Sequence, residues 1–283
     1  MASPPQIFDR DLLARRLAGR PSEPDFVTAL ILEDLADRLL AVTRSFKHAL
    51  IMAPDARVLP SQGRSASGPF AFERAATLVP GDGPVLDPER LTLPSRDYDL
   101  IVSLLDLTVV NDVPGFLARI RAHLGPDGLF LAAAIGGDTL SELRQAFLAA
   151  DAEVSGGAFA RVAPFLQLGD AGPLLQRTGY AVPVTDIESL TIRYASPLAL
   201  MTELKALGAA NPLRDRPSRM ATPRLLAEAS AAYEQLARDA DGRIRATLQI
   251  VWLSGWAPHE SQQQPLRPGS AKISLADVLG KKR

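Results

Sequence analysis

Few residues in this chain could do acid, base or nucleophilic chemistry, and their spacing narrows the choice. There is no cysteine, so thiolate nucleophiles, thiolate metal sites and disulfides are excluded. The three histidines, His48, His123 and His259, stand far apart, and local metal-ligand spacing is absent. What remains is a set of polar residues that follow apolar runs. These are Asp55 in APDAR, Asp87 in VLDPERL, Asn111 and Asp112 in VVNDVP, and Asp138 in GGDTLSELR. A carboxylate at the carboxyl end of a buried strand is placed to hold a ligand in the crevice beyond that edge. Each also has a structural reading. Asp112 is a good helix N-cap, Thr139-x-x-Glu142 matches a capping box, and Asp87-Pro88 suits a turn. Asn111, Asp138 and Arg144 are the candidates for touching a substrate or partner, and Arg144 could bind a carboxylate. No nucleophile–base constellation or phosphate-binding loop is evident, and no metal is expected.

The elements that must position these residues follow from apolar periodicity. Leu32, Leu35, Leu39 and Val42 recur at helical spacing within residues 24–46, with Asp25 as N-cap. ALIM (49–52) reads as a short buried strand and residues 54–69 as loop. A strand is expected over 70–78, and a short one in 83–94 that ends near Asp87. YDLIVSLLDLTVV (98–110) is a near-continuous apolar run, as in a strand covered on both faces. A helix follows over 112–128, stopped by Gly125-Pro126. Then come a strand over 129–137 and a helix over 139–154. Alternating strands and helices imply parallel β-α units and a doubly wound sheet. Beyond Gly169 a short helix (169–179) leads to a strand over 184–196. Two helices (197–211 and 223–239) precede a last strand over 246–258. The long helical connection predicts that these two strands pair antiparallel at the sheet edge, with 197–239 as a helical lid. The expected organisation is one domain, 1–283: core 24–196 and 246–258, the lid insertion, and a polar tail, 259–283.

With 283 residues, 47% hydrophobic and 22% charged, the composition is that of a globular protein. A net charge of −1 gives no global field for nucleic acid. MASPPQIFDRDLLARRLAGRP carries charges where a signal peptide needs an apolar core. No apolar run reaches the roughly 20 residues of a membrane span. A cytoplasmic protein is expected.

Several stretches are specific: QIFDRDLLARRL, VVNDVPGFLARIRAHLGPDGLFLAAAIGGDTLSELRQAFLAADAE, GGAFARVAPF, DAGPLLQRTGY and GWAPHESQQQPLRPGSA. In this order, from about Gln6 to Ala271, they resemble the methyltransferase-like family that includes an assembly factor of respiratory complex I. A broader likeness, to malonyl-carrier-protein methyltransferases, covers only the sheet. The resemblance implies a class I methyltransferase fold: a three-layer, Rossmann-like α/β sheet of seven strands with the last antiparallel. It implies S-adenosylmethionine (SAM) as cofactor and a complex I subunit as protein substrate or partner. The assembly factor is credited with hydroxylating an arginine on such a subunit.

On that pattern the cofactor contacts fall on Ala53, Asp55, Asp87 and Leu105, with Glu73 as a candidate ribose carboxylate. The first strand of this fold normally ends in an acidic residue, x, Gly, x, x, Gly. This chain has Ile51, Ala53 and Ala56 at those three places. Ile51 cannot accept a hydrogen bond through its side chain. An αL backbone costs a non-glycine residue about 1–2 kcal/mol. The family's His-Trp after the fourth strand is Thr108-Val109 here, which removes a group that titrates near neutral pH. His259 and Arg267, in the tail motif, are expected to meet the pocket or a partner. Two readings follow: a SAM-dependent enzyme acting on a protein, or a non-catalytic assembly protein on the same fold. A small-molecule or carrier-protein methyltransferase is the further alternative.

Overall fold

The computed structural model describes residues 5–218 and 220–262. Its centre is a seven-stranded sheet in the order β2-β3-β1-β4-β5-β7-β6. The strands are β1 (Ala49–Asp55), β2 (Gln62–Ser65), β3 (Gly68–Val79), β4 (Tyr98–Leu104), β5 (Leu124–Ile135), β6 (Ala181–Tyr194) and β7 (Ile244–Trp256). β3, β1, β4 and β5 are parallel. β7 is antiparallel to both β5 and β6. The expected antiparallel pairing of the last two strands is therefore found, from Ala181↔Trp256 to Tyr194↔Ile244.

Strand side chains alternate between the two faces, as the pleat requires. Leu50, Met52, Ile101, Phe130, Ala132, Val251 and Leu253 share one core with Phe116, Leu117 and Ile120 of α3 (Val113–Arg121) and with Ala171 and Leu175 of α5 (Leu168–Arg177). Their neighbours Ile51, Ala53, Leu100, Val102, Leu129, Leu131 and Trp252 face the other way, onto Ile31, Leu35 and Leu39 of α2 (Phe26–Leu40). This two-sided burial is why β4 and β5 carry near-continuous apolar runs. Asp25 and Asp112 cap α2 and α3 as expected, each accepting from the backbone N–H three residues on.

Four expectations change. The strand expected over 98–110 ends at Leu104, and Asp106–Thr108 form a 3-10 turn. Residues 54–69 are not plain loop: β2 forms a hairpin with β3, in register from Gln62↔Ala71 to Ser65↔Gly68. The strand expected in 83–94 is a single parallel bridge, Ala76↔Val85, followed by a 3-10 turn at Pro88–Arg90. The helix expected over 112–128 ends at Arg121, and Gly125-Pro126 belongs to the start of β5.

α4 (Ser141–Ser155) follows β5. The connection between β6 and β7 carries α6 (Pro197–Ala206) and α7 (Pro223–Ala237), both opening with proline at N1 behind a hydroxyl N-cap, Ser196 and Thr222. α7 packs on α4 through Ala150, Leu225 and Ala229. α1 (Arg10–Ala18) lies over the carboxyl edge of the parallel strands. Its Arg10 donates to the carbonyl of Thr77 at 2.9 Å. The chain just before it pairs with 212–214 through the Phe8↔Leu213 bridge.

Candidate functional site

A cavity of about 770 Å³ opens beyond the carboxyl ends of β1, β4 and β5. α1, the start of α2, α6 and residues 207–212, 216, 217, 220 and 221 enclose it. Its position is the crevice where strand order reverses in an open α/β sheet, the usual ligand site of such folds. Three sequence candidates line it: Ala53, Asp55 and Leu105. Leu105 adopts φ 67°, an unusual backbone for a branched side chain.

Asp55 ends β1, and its carboxylate is engaged. The Arg57 guanidinium donates to both oxygens, Nε to Oδ1 at 3.0 Å and Nη2 to Oδ2 at 2.8 Å. The same guanidinium donates to the carbonyls of Leu17 and Arg20 at the end of α1. Asp55 also accepts from the Arg57 backbone N–H. Residues 56–67, which join β1 to its parallel neighbour β3, hold one 3-10 turn and the short β2, and no α-helix. Parallel strands are usually joined by a helical crossover. Ile51, at the acidic position of the cofactor pattern, is fully buried under α2.

The remaining candidates stand outside the cavity lining. Asp87 Oδ1 accepts from the Glu89 N–H and shapes its own turn. Glu73 lies mid-strand, where it accepts from the Tyr98 hydroxyl at 2.7 Å and meets His48. Asn111 Oδ1 accepts from the N–H groups of Ile7 and Phe8, at 2.7 and 3.0 Å, and its amide donates to Glu89. It thereby anchors the chain leading into α1. Among the described residues, Arg144 reaches only the Ala163 carbonyl, at 3.5 Å. His259 contacts Ser261, which reaches Asp127 near the start of β5. Because β7 runs antiparallel to β5, His259 emerges at the edge opposite the cavity. Arg267 lies outside the described residues.

The capping box does not form. α4 starts after Leu140, in the αL conformation, with no side-chain cap. Thr139 instead exchanges hydrogen bonds with the backbone of Gln249, and Glu142 accepts from the N–H and hydroxyl of Thr247. Asp138 receives the Gln249 side-chain amide at 3.3 Å. A Cβ on Gly136 would stand 2.7 Å from Gln249 Cβ. GGDTLSELR is thus a clasp that fastens the start of α4 to β7.

Two groups escaped the sequence reading. Asp106, just beyond β4, is fully buried and accepts from the hydroxyls of Thr77 (2.6 Å) and Ser103 (2.8 Å). Burial pushes its pKa up to about 6, against the pull of those hydrogen bonds and of Arg10. The available sign was a lone carboxylate inside an apolar run. Asp151 is also fully buried and receives two bonds from Arg161, at 2.6 and 2.7 Å, beside the cavity. Among the described residues no three His, Asp or Glu side chains converge to hold a metal ion.

The sheet order β3-β1-β4-β5-β7-β6, with β7 alone reversed, and the cavity at the carboxyl edge define a class I methyltransferase-type α/β protein. No protein-family model matches the chain. Human mitochondrial arginine-hydroxylase NDUFAF5 is 34% identical over 290 residues, covering 97% of this chain and 84% of its own. The malonyl-[acyl-carrier protein] O-methyltransferase of Halorhodospira halophila is 34% identical over 197 residues, covering 70% of this chain and 65% of its own. Among solved structures, the Haemonchus contortus phosphoethanolamine N-methyltransferase 2, in complex with SAM, gives a TM-score of 0.41 at 12% identity, covering 88% of this chain and 57% of its own. The chain belongs to the family of the arginine-hydroxylase NDUFAF5. No helix among the described residues is long and apolar enough to cross a membrane.

Proposed function

We propose that this chain serves in respiratory complex I assembly as a protein that binds a subunit, in the cytoplasm, without SAM-dependent chemistry. The observation that carries this reading is the segment after β1. SAM needs close backbone approach at that turn and a free carboxylate acceptor nearby. Here Ala53 stands at the close-approach position and Arg57 engages both oxygens of Asp55. Asp87 and Glu73 are directed elsewhere. The residues present do not fit the cofactor, so no reaction step is assigned to it.

An arginine side chain as substrate fares no better on electrostatic grounds. Its cation needs an available carboxylate, and both carboxylates of the cavity lining, Asp25 and Asp55, already hold arginines of this chain. The test is calorimetric titration of the full chain with SAM. No binding is expected. A Kd tighter than about 10 µM, roughly −7 kcal/mol, would overturn the reading and restore a SAM-dependent enzyme acting on a protein. The assembly role is tested in cells lacking the chain. Asp87→Ala should restore complex I activity as well as the unaltered protein does, at equal protein level. A crippled Asp87→Ala strain would argue for a cofactor after all. Fractionation of the same cells checks the cytoplasmic location.

A further inference from the structure

The cavity outlives the cofactor turn, and its wall says what it suits. Its volume, about 770 Å³, lies in the range of small-molecule sites, roughly 300–1,000 Å³. Aliphatic side chains form much of the wall, among them Leu13, Ile31, Leu104, Ile135, Leu200 and Leu248 from six different elements. Most neutral polar side chains in the wall are already bonded within the protein. Thr28 donates to Asp25, Thr139 to the Gln249 carbonyl, Thr247 to Glu142, and the Asn211 amide to the Ala160 carbonyl. A polar ligand would give up its water for few new hydrogen bonds, an unfavourable exchange. An apolar chain would gain in proportion to the area it buries.

The charges sort in the same way. Arg20 pairs with Asp25, Arg161 with Asp151, Arg216 with Asp9, and Asp55 with Arg57. Among the described residues, Arg16 and Lys205 are the lining cations with no carboxylate partner. Both border the turn at Gly208. The Lys205 carbonyl accepts from the Gly208 N–H, and Arg16 donates to the Ala210 carbonyl at 2.5 Å. A Cβ on Gly208 would sit 3.6 Å from Arg16 Cβ. The wall therefore joins an apolar interior to two cations without carboxylate partners, Arg16 and Lys205, whose backbones meet at the Gly208 turn.

We propose that this cavity binds a single long-chain amphiphile, an apolar tail of fatty-acyl type bearing one anionic head, with the tail among the aliphatic residues and the head at Arg16 and Lys205. This goes beyond the assembly role and rests on the cavity alone. A chain that bound both SAM and the amphiphile would sink the former reading and leave this one standing.

The test uses the full chain and cis-parinaric acid, a fluorescent long-chain fatty acid, as probe. Saturable binding of one probe per chain is expected, with a Kd below about 10 µM. Palmitate should displace it, hexadecanol should compete at least tenfold more weakly, and hexanoate should not compete. Arg16→Gln should erase the preference of palmitate over hexadecanol. Lys205→Gln, which breaks no hydrogen bond recorded in the structure, should reduce that preference on its own. Thr108→Phe, which fills the cavity from its β4 side, should lower probe affinity at least tenfold with the circular dichroism spectrum unchanged. Phosphatidylglycerol vesicles form the last arm: displacement by them identifies a membrane lipid as the source, and displacement by palmitate alone identifies the free acyl anion. Absence of saturable binding would overturn the proposal. So would equal competition by palmitate and hexadecanol, or full binding by a folded Thr108→Phe chain.

Discussion

Asp106→Asn should make this protein more stable at neutral pH, and the gain should vanish in acid. The carboxyl is fully buried, and its pKa rises from the ordinary 3.8 to about 6 because burial outweighs the hydrogen bonds from Thr77 and Ser103 and the attraction of Arg10. Below 3.8 the group is protonated both folded and unfolded. Between 3.8 and 6 the unfolded chain has released the proton and the folded chain has kept it, so stability falls as pH rises. Above 6 both states are ionised, and the full penalty of a buried charge remains. From 3.8 to about 6, at 1.36 kcal/mol for each pKa unit, the penalty is about 3 kcal/mol. Asparagine keeps the shape and can meet the same two hydroxyls, which reorient freely.

With an unfolding entropy of about 2.1 cal/mol/K per residue, that energy corresponds to a rise in Tm of about 5 °C at pH 8. The assay is a paired set of melts, unaltered protein against Asp106→Asn, from pH 4 to pH 8. Differences are read pair by pair because the lowered pKa values of Asp25 and Asp127 add slopes of opposite sign to both proteins. A variant less stable at pH 8, or a Tm difference that does not change with pH, would refute the reasoning.

Arg57→Ala should cost about 2–3 kcal/mol in urea unfolding, because it leaves the nearly buried Asp55 carboxylate without its guanidinium partner and frees two carbonyls at the end of α1. A change under about 0.5 kcal/mol, the scale of an ordinary surface substitution, would show that the pair does not hold the turn. Glu142→Gln should speed hydrogen exchange at the Thr247 amide, which donates to that carboxylate at 3.2 Å. Unchanged exchange there would remove the clasp.

The strands that could be read from sequence are those whose side chains are buried on both faces. β1, β4, β5 and β7 announce themselves because their apolar residues alternate between one core and the other. β2 could not be read. Gln62-Gly63-Arg64-Ser65 has no apolar face, and it pairs because Gly63 leaves room for the rings of Phe70 and Phe72, which a Cβ would meet at 2.5–2.8 Å. The strand expected before Asp87 fails because Gly83 crosses close to Arg74, where a Cβ would lie 1.7 Å from its carbonyl oxygen, and the chain departs after one bridge. Site residues divide in the same way. Ala53, Asp55 and Leu105 reach the cavity because strand ends put them there. Thr139 and Glu142 match a local helix-start pattern, yet their partners lie more than a hundred residues away on β7. No spacing rule reveals such a partner.

The cavity owes its cover to contacts as distant as those, and Asn111 tests whether cover and core are separate. Its amide oxygen takes the N–H groups of Ile7 and Phe8, 104 and 103 residues away. Neither large core cluster contains a residue of α1. Losing the anchor should therefore loosen α1 and leave the sheet alone, since local openings cost less than global unfolding where few apolar contacts hold a segment. Asn111→Ala leaves two backbone donors without their acceptor, a local loss of about 1–3 kcal/mol. Hydrogen exchange should quicken across Arg10–Ala18, by ten- to a hundredfold for that energy, with β4 and β5 amides unchanged. Binding of the fatty-acid probe should weaken in parallel, because Leu13, Arg16 and Leu17 of α1 form part of the wall. If β4 and β5 amides quicken in step with α1, cover and core unfold as one unit, and the cavity is no separable device laid over the sheet.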